Sequence, residues 1–110
     1  MKFGNKVLGL LVIFICSLLV LAADKGNSEE GKKLFEDRCK TCHGASGDGN
    51  MIIAKALGVQ IRPFSSKEVQ SQEDAVLKKI ITEGRGKMVP FGLTDTEVDD
   101  VIAFIRSLKK

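Results

Sequence analysis

The sequence predicts an all-α domain over residues 24–110, with three main helices and one or two short ones. The first observation is that apolar residues recur at helical spacing in the second half of the chain. The second is that residues suited to helix caps precede these stretches, and a glycine follows one of them. No βαβ pattern appears, and the length is that of one domain.

The N-terminal segment, residues 1–23, has the composition of an export signal. Two lysines give it a positive start, and residues 7–23 carry no charge. Ala22 and Ala23 stand where a signal peptidase would cut. The apolar stretch also approaches the length of a membrane-spanning helix, so an uncleaved anchor is an alternative. In both cases we expect the domain to be exported, either free in the periplasm or tethered to the outer face of the cytoplasmic membrane.

The charge of the domain excludes one class of partner. The whole chain has a formal net charge of +3, with 17 Lys and Arg against 14 Asp and Glu. Two of the lysines belong to the leader, so the domain itself is nearly neutral. Its basic and acidic residues are mixed rather than clustered on one face, so we expect no nucleic-acid partner.

The first half of the domain contains a long helix and a short one. Ser28 is predicted to cap a helix over residues 29–38. Gly31 is unfavourable inside a helix, and we expect either close approach of another helix or a frayed first turn. The glycine-rich residues 44–50 are predicted to form a loop before a short helix over residues 51–57.

The second half contains the other two main helices. Ser65 is predicted to cap a short turn over residues 67–70, and Ser71 to cap a helix that stops at Gly84. Thr94 begins the last helix with a capping box to its third residue. The apolar positions that follow helical spacing are Val76, Leu77, Ile80, Ile81, Val98, Val101, Ile102, Ile105 and Leu108.

The principal motif is C-x-x-C-H, formed by Cys39, Cys42 and His43. This spacing is typical of covalent attachment of a c-type haem. Each thiol would add to one vinyl group of the porphyrin, and the histidine directly after the second cysteine would lie beneath the iron as its proximal ligand. A covalently held haem would also add core volume to a small domain.

Three other interpretations of the motif are weaker. A thioredoxin-like dithiol is expected near a βαβ pattern, which the sequence lacks. A structural zinc site needs four ligands, whereas the single histidine and the two motif cysteines supply three and Cys16 lies in the leader. A disulfide between Cys39 and Cys42 is compatible with export but leaves His43 unexplained.

Methionine is the candidate for the second axial ligand. Met51 follows His43 too closely to reach the opposite face of a porphyrin. Met88 lies much further along, in a loop over residues 84–93, and we predict that it is the ligand. A thioether ligand raises the reduction potential and favours electron transfer over oxygen chemistry. The alternative is a methionine that only fills the core.

These residues together resemble small monohaem bacterial class I cytochromes c. The resemblance covers most of residues 28–108. The matching residues are Gly31, Phe35, Cys39, Cys42, His43, Gly47-Asp48-Gly49, Gly84-Arg85-Gly86-Lys87-Met88 and the closing stretch 93–108.

The resemblance implies a class I cytochrome c fold wrapped around one covalent haem, with the first and last helices crossing closely. It places Phe35 near Phe104 and makes His43 and Met88 the axial ligands of the iron. The implied function is one-electron transfer between redox proteins that dock transiently, by a monomer that is not an enzyme. The alternatives are a membrane-anchored subunit of an oxidoreductase complex, and a haem sensor or enzyme with an open sixth site.

The sequence departs from the family in two places. Val89 separates Met88 from Pro90, whereas the family usually has proline directly after the ligand methionine. Residues 44–62 contain no proline, although the family often uses a proline carbonyl there to orient the proximal histidine. We therefore expect another carbonyl, near Met51 or Ile52, to accept the hydrogen bond from His43.

Overall fold

The computed structural model describes residues 26–110, and within this range the chain is helical with no β-strand. The prediction of an all-α fold is therefore confirmed, whereas the predicted leader lies outside the described residues. Between residues 26 and 110, no helix is both long and apolar enough to cross a bilayer. The helices are α1 Ser28–Arg38, α2 Lys40–His43, α3 Met51–Leu57, α4 Lys67–Gln70, α5 Asp74–Glu83 and α6 Asp95–Ser107.

The three long helices are those that the sequence predicts, but three short helices are present rather than one or two. α1, α5 and α6 have 11, 10 and 13 residues. The additional short helix is α2, a single turn that carries most of the C-x-x-C-H motif. Cys39 ends α1 and also precedes the first residue of α2, so the two helices follow each other directly.

Local capping explains where several helices begin and end. The capping box predicted at Thr94 is present: its hydroxyl accepts from the Glu97 N–H, and the Glu97 carboxylate accepts from the Thr94 N–H. α3 stops at Gly58, and α5 stops at Gly84, as predicted.

Three predicted caps are wrong. Asn27, rather than Ser28, caps α1, because its side-chain oxygen accepts from two backbone N–H groups of the first turn. Ser66, rather than Ser65, caps α4. α5 begins after Glu73 with no side-chain cap, and Ser71 instead follows the end of α4.

The first and last helices cross at Gly31, which is buried in α1. A Cβ atom at this position would overlap with the backbone carbonyl of Asp100 in α6. The Asn27 N–H also donates to the Asp100 carboxylate, at 2.7 Å. Gly31 is therefore required by close helix approach, and the alternative of a frayed first turn does not hold.

The core lies beside this crossing. Six residues of α5 and α6 form one buried cluster: Leu77, Ile81, Val98, Val101, Ile102 and Ile105. Phe35 from α1 is fully buried, and its ring centroid lies 5.0 Å from that of Phe104 in α6. The expected contact between Phe35 and Phe104 is thus confirmed.

Candidate functional site

The motif residues lie on a single helical turn. The Cys39 N–H donates to the Phe35 carbonyl at 2.8 Å, so the end of α1 directly positions the first cysteine. The His43 N–H donates to the Cys39 carbonyl at 3.0 Å, which closes the turn that carries Cys42. Both thiols are free. The structure therefore brings together the two thiols and the imidazole that the sequence predicts.

The loop after the motif folds back over the end of this turn. The Gly49 N–H donates to the His43 carbonyl at 2.7 Å, and the Asn50 N–H donates to the Cys42 carbonyl at 2.9 Å. The Asn50 amide also donates to the Thr41 carbonyl, and its oxygen caps α3. The glycine-rich loop therefore satisfies the backbone of the motif, which is a role that its composition alone does not specify.

The imidazole of His43 packs against an aromatic ring. Its centroid lies 4.6 Å from that of Phe64, and the two planes are inclined by 25°. Phe64 comes from the irregular stretch between α3 and α4. This contact was not predicted, because nothing in the local sequence around Pro63 indicates which side chain Phe64 contacts.

The two ring nitrogens of His43 have different surroundings. Within residues 26–110, Nδ1 is the buried side-chain nitrogen or oxygen that lacks a hydrogen-bond partner. The expectation that a carbonyl near Met51 or Ile52 accepts from it is therefore wrong. Burial lowers the pKa of His43 below its ordinary value, because a charged imidazolium would lose its hydration there.

The two cysteines also differ. Cys39 is half-buried and Cys42 is exposed. Burial raises the pKa of the Cys39 thiol to about 11, although the positive charge of Arg38 partly opposes this effect. Cys39 is thus held mainly as the neutral thiol at neutral pH.

Among the described residues, no group of three or more His, Cys, Asp and Glu side chains could hold a metal ion, so nothing in that range favours the zinc interpretation.

Met88 lies in an ordered turn between α5 and α6. The Arg85 N–H donates to the Met88 carbonyl, and the Met88 N–H donates to the Arg85 carbonyl, both at 2.9 Å. The side chain is half-buried and packs against the core cluster of α5 and α6. Met51, by contrast, is 73% exposed at the start of α3. The position of Met88 near the core is compatible with both of its interpretations, as an iron ligand and as a core methionine.

The residues present fit a covalent haem. Two free thiols three positions apart are the groups that form thioether links, and the adjacent imidazole is a common iron ligand. Because Nδ1 of His43 faces the protein interior, Nε2 is the nitrogen left to bind a metal. The half-buried Met88 adds a thioether from another part of the fold.

Comparison with known proteins establishes the family. A family model for cytochrome c matches residues 28–109, which is most of the described chain. The chain therefore belongs to the cytochrome c family and is a small class I c-type cytochrome. Proteins of this kind bind haem c covalently and transfer electrons through it, so the predicted cofactor is confirmed.

Individual relatives agree with this assignment. Cytochrome c-554(547) of Halothiobacillus neapolitanus is 31% identical over 93 residues, which cover 76% of this chain and 99% of that protein. The solved c-type cytochrome KustC0563 has a TM-score of 0.64 and 36% identity, covering 73% of this chain and 98% of its own.

A third relative is much larger than the match. Thiosulfate dehydrogenase of Psychrobacter arcticus is 31% identical over 91 residues, covering 76% of this chain. The match spans only 27% of that enzyme. The chain therefore corresponds to about a quarter of that relative and to nearly all of the two small cytochromes.

Proposed function

We propose that the chain is a monohaem electron carrier whose haem is attached through Cys39 and Cys42, with His43 and Met88 as the axial ligands. The observation that carries the proposal is the single turn that presents both free thiols and an imidazole with its Nδ1 atom turned inward. When held by these residues, the haem would supply a reversible one-electron couple between ferrous and ferric iron.

The residues of the chain hold and tune this group. His43 stays neutral because its burial opposes protonation, which keeps Nε2 available for the iron. Met88 would supply the thioether that raises the reduction potential and leaves no open position for small molecules. The fold around the motif supplies an environment of low polarity, since the buried residues among 26–110 are apolar apart from glycine.

The proposed location is the periplasm, either free or tethered through residues 7–23. Support comes from the composition of residues 1–23, which combines two lysines with an uncharged apolar stretch. The partners would be redox proteins that dock transiently, with the cytochrome acting as a monomer. Transient electron-transfer contacts are small and weak, which suits a carrier that must dissociate after each transfer.

The ligand assignment is tested by replacing Met88. The protein is exported from a host with haem-attachment machinery, and optical spectra of the oxidised and reduced forms are recorded. We expect covalent haem and a far-red sulfur-to-iron band in the wild type, and we expect Met88→Ala to lose that band. The matched control is Met51→Ala, which removes an exposed methionine from α3 and should retain the band.

The outcomes separate the alternatives. Loss of the band only in Met88→Ala supports the His/Met carrier. Haem attached without the band in the wild type would favour a sensor or enzyme with an open sixth site. Protein that carries no covalent haem would contradict the roles of Cys39, Cys42 and His43.

A second candidate function is a haem domain that feeds electrons to a larger oxidoreductase, as a membrane-anchored subunit or as part of an enzyme. The supporting observation is the partial match to a thiosulfate dehydrogenase. Purified haem-loaded chain is assayed for thiosulfate oxidation with an artificial electron acceptor, and its mature N-terminus is sequenced. Turnover would favour the enzyme, and an intact leader would favour the anchored subunit.

A further inference from the structure

The imidazole ring of His43 makes an apolar contact but no side-chain hydrogen bond through Nδ1. An iron-ligating histidine is commonly held by a hydrogen bond from its second ring nitrogen, which fixes the rotation of the ring. Here Nδ1 is buried, and none of the described residues accepts from it. The face of the imidazole lies instead against Phe64, with 4.6 Å between the ring centroids and 25° between the planes. Offset stacking of this kind is a directional contact.

Phe64 is itself held by its backbone. Its N–H donates to the Gly47 carbonyl at 2.9 Å, and its carbonyl accepts from the Gln70 side-chain amide at 2.8 Å. The same Gln70 nitrogen donates to the Ile105 carbonyl at 2.8 Å, which ties this segment to α6. The N–H and the carbonyl of Phe64 are therefore both hydrogen-bonded, and Gln70 links this segment to the last helix.

The ring of Phe64 is also constrained on its other sides. Its centroid lies 5.8 Å from that of the fully buried Phe35, in an edge-to-face arrangement at 69°. A Cβ atom at Gly47 would lie 2.9 Å from Cδ2 of Phe64, so only glycine lets the loop approach the ring this closely. The ring is thus confined by α1 and by the loop that follows the motif.

We propose that Phe64 is a positioning residue that fixes the rotation of the His43 imidazole through stacking, with Gly47 and Gln70 holding Phe64 in place. The inference rests on the proposed role of His43 as an iron ligand. The consequence is electronic, because the plane of the imidazole ligand, together with the orientation of the thioether, determines how unpaired electron density is distributed over the pyrroles of a ferric haem. Freeing the ring would change that distribution without breaking the iron–nitrogen bond.

The test is proton NMR of the ferric haem-loaded protein, in which the four haem-methyl resonances report the plane of the imidazole together with the orientation of the thioether ligand. We expect Phe64→Leu to change the order or spread of these resonances, because leucine keeps the bulk but loses the flat ring. Phe64→Tyr keeps the ring and should retain the wild-type pattern. The control is Phe104→Leu, which removes an aromatic ring that contacts Phe35 rather than His43.

A purely structural role for Phe64 would give a different result. In that case Phe64→Leu and Phe104→Leu would both lower stability, and neither would change the haem-methyl pattern. An unchanged pattern in Phe64→Leu, with haem attached, would overturn this inference and leave the proposed function intact. Wild-type protein without covalent haem would overturn both.

A second measurement uses only the wild type, in case Phe64→Leu does not fold. In the diamagnetic ferrous protein, nuclear Overhauser effects are sought between the ring protons of Phe64 and those of His43. We expect such effects, because the ring centroids are 4.6 Å apart. Their absence would overturn the stacking that the inference requires.

Discussion

Among the glycines of residues 26–110, Gly31 leaves the least room for a side chain. It lies inside α1, where glycine costs up to about 1 kcal/mol of helix propensity relative to alanine. That cost is accepted because the backbone of Asp100 occupies the place of the missing side chain. A residue that weakens its own helix thus permits the close contact between α1 and α6.

Replacing Gly31 tests this contact. Gly31→Ala should lower the free energy of unfolding by about 3 kcal/mol or more, because α1 and α6 must move apart to admit one methyl group. The matched control is Gly92→Ala, where an added Cβ atom meets nothing within 4 Å and the change should stay within about 1 kcal/mol. Denaturant unfolding of the haem-loaded protein measures both, and equal effects would contradict close packing as the cause.

One arginine side chain connects the last helix, α6, to α4 and α5. Arg106, near the end of α6, donates to the backbone carbonyls of Gln70 and Gln72 and to the carboxylate of Asp74. The side chain of Arg106 is 28% exposed, whereas that of Asp74 is 71% exposed. The bonds to the carbonyls are thus more sheltered than the ion pair, so we expect them to contribute most of the stability.

The element-scale prediction separates these two contributions. Arg106→Ala should cost about 1–3 kcal/mol, because three backbone carbonyls in and just after α4 lose their donor. Asp74→Ala should cost less than about 1 kcal/mol, since exposed ion pairs contribute little. Urea unfolding at low and high salt distinguishes them. A cost for Asp74→Ala equal to that for Arg106→Ala would assign the stability to the ion pair.

The domain as a whole has few buried apolar side chains. Only eight apolar side chains among residues 26–110 are buried, from Phe35 in α1 to Ile105 in α6. A domain of this size is marginally stable on its core alone. His43 packs against Phe64, which in turn packs against that core, so a covalently attached haem would complete the interior as well as carry the electron.

The whole-molecule prediction follows from this shortage of core. A Cys39→Ser, Cys42→Ser double variant cannot form thioether links. Its melting curve should show no cooperative unfolding transition above about 25 °C. The reason is that the protein would lack the apolar surface contributed by the haem. Circular dichroism melting curves measure the effect, with haem-loaded wild type as the control. A cooperative transition in the double variant at the wild-type temperature would refute it.

Short-range patterns were the part of the fold that the sequence could predict. The capping box at Thr94 and the stops at Gly58 and Gly84 all depend on residues within one or two turns of each other. The caps of α1, α4 and α5 were wrong by one or two residues, because neighbouring polar side chains compete for the same backbone N–H groups.

The sequence by itself determined the class of helices, the haem motif and the family, because each of these depends on the identity and spacing of neighbouring residues. Only the tertiary structure decided what surrounds His43. The aromatic stack joins His43 to Phe64, about 20 positions further along the chain, and Nδ1 of His43 is buried beside it. Contacts of this kind arise from how the irregular stretch after α3 packs against α1 and α6, which no local periodicity specifies.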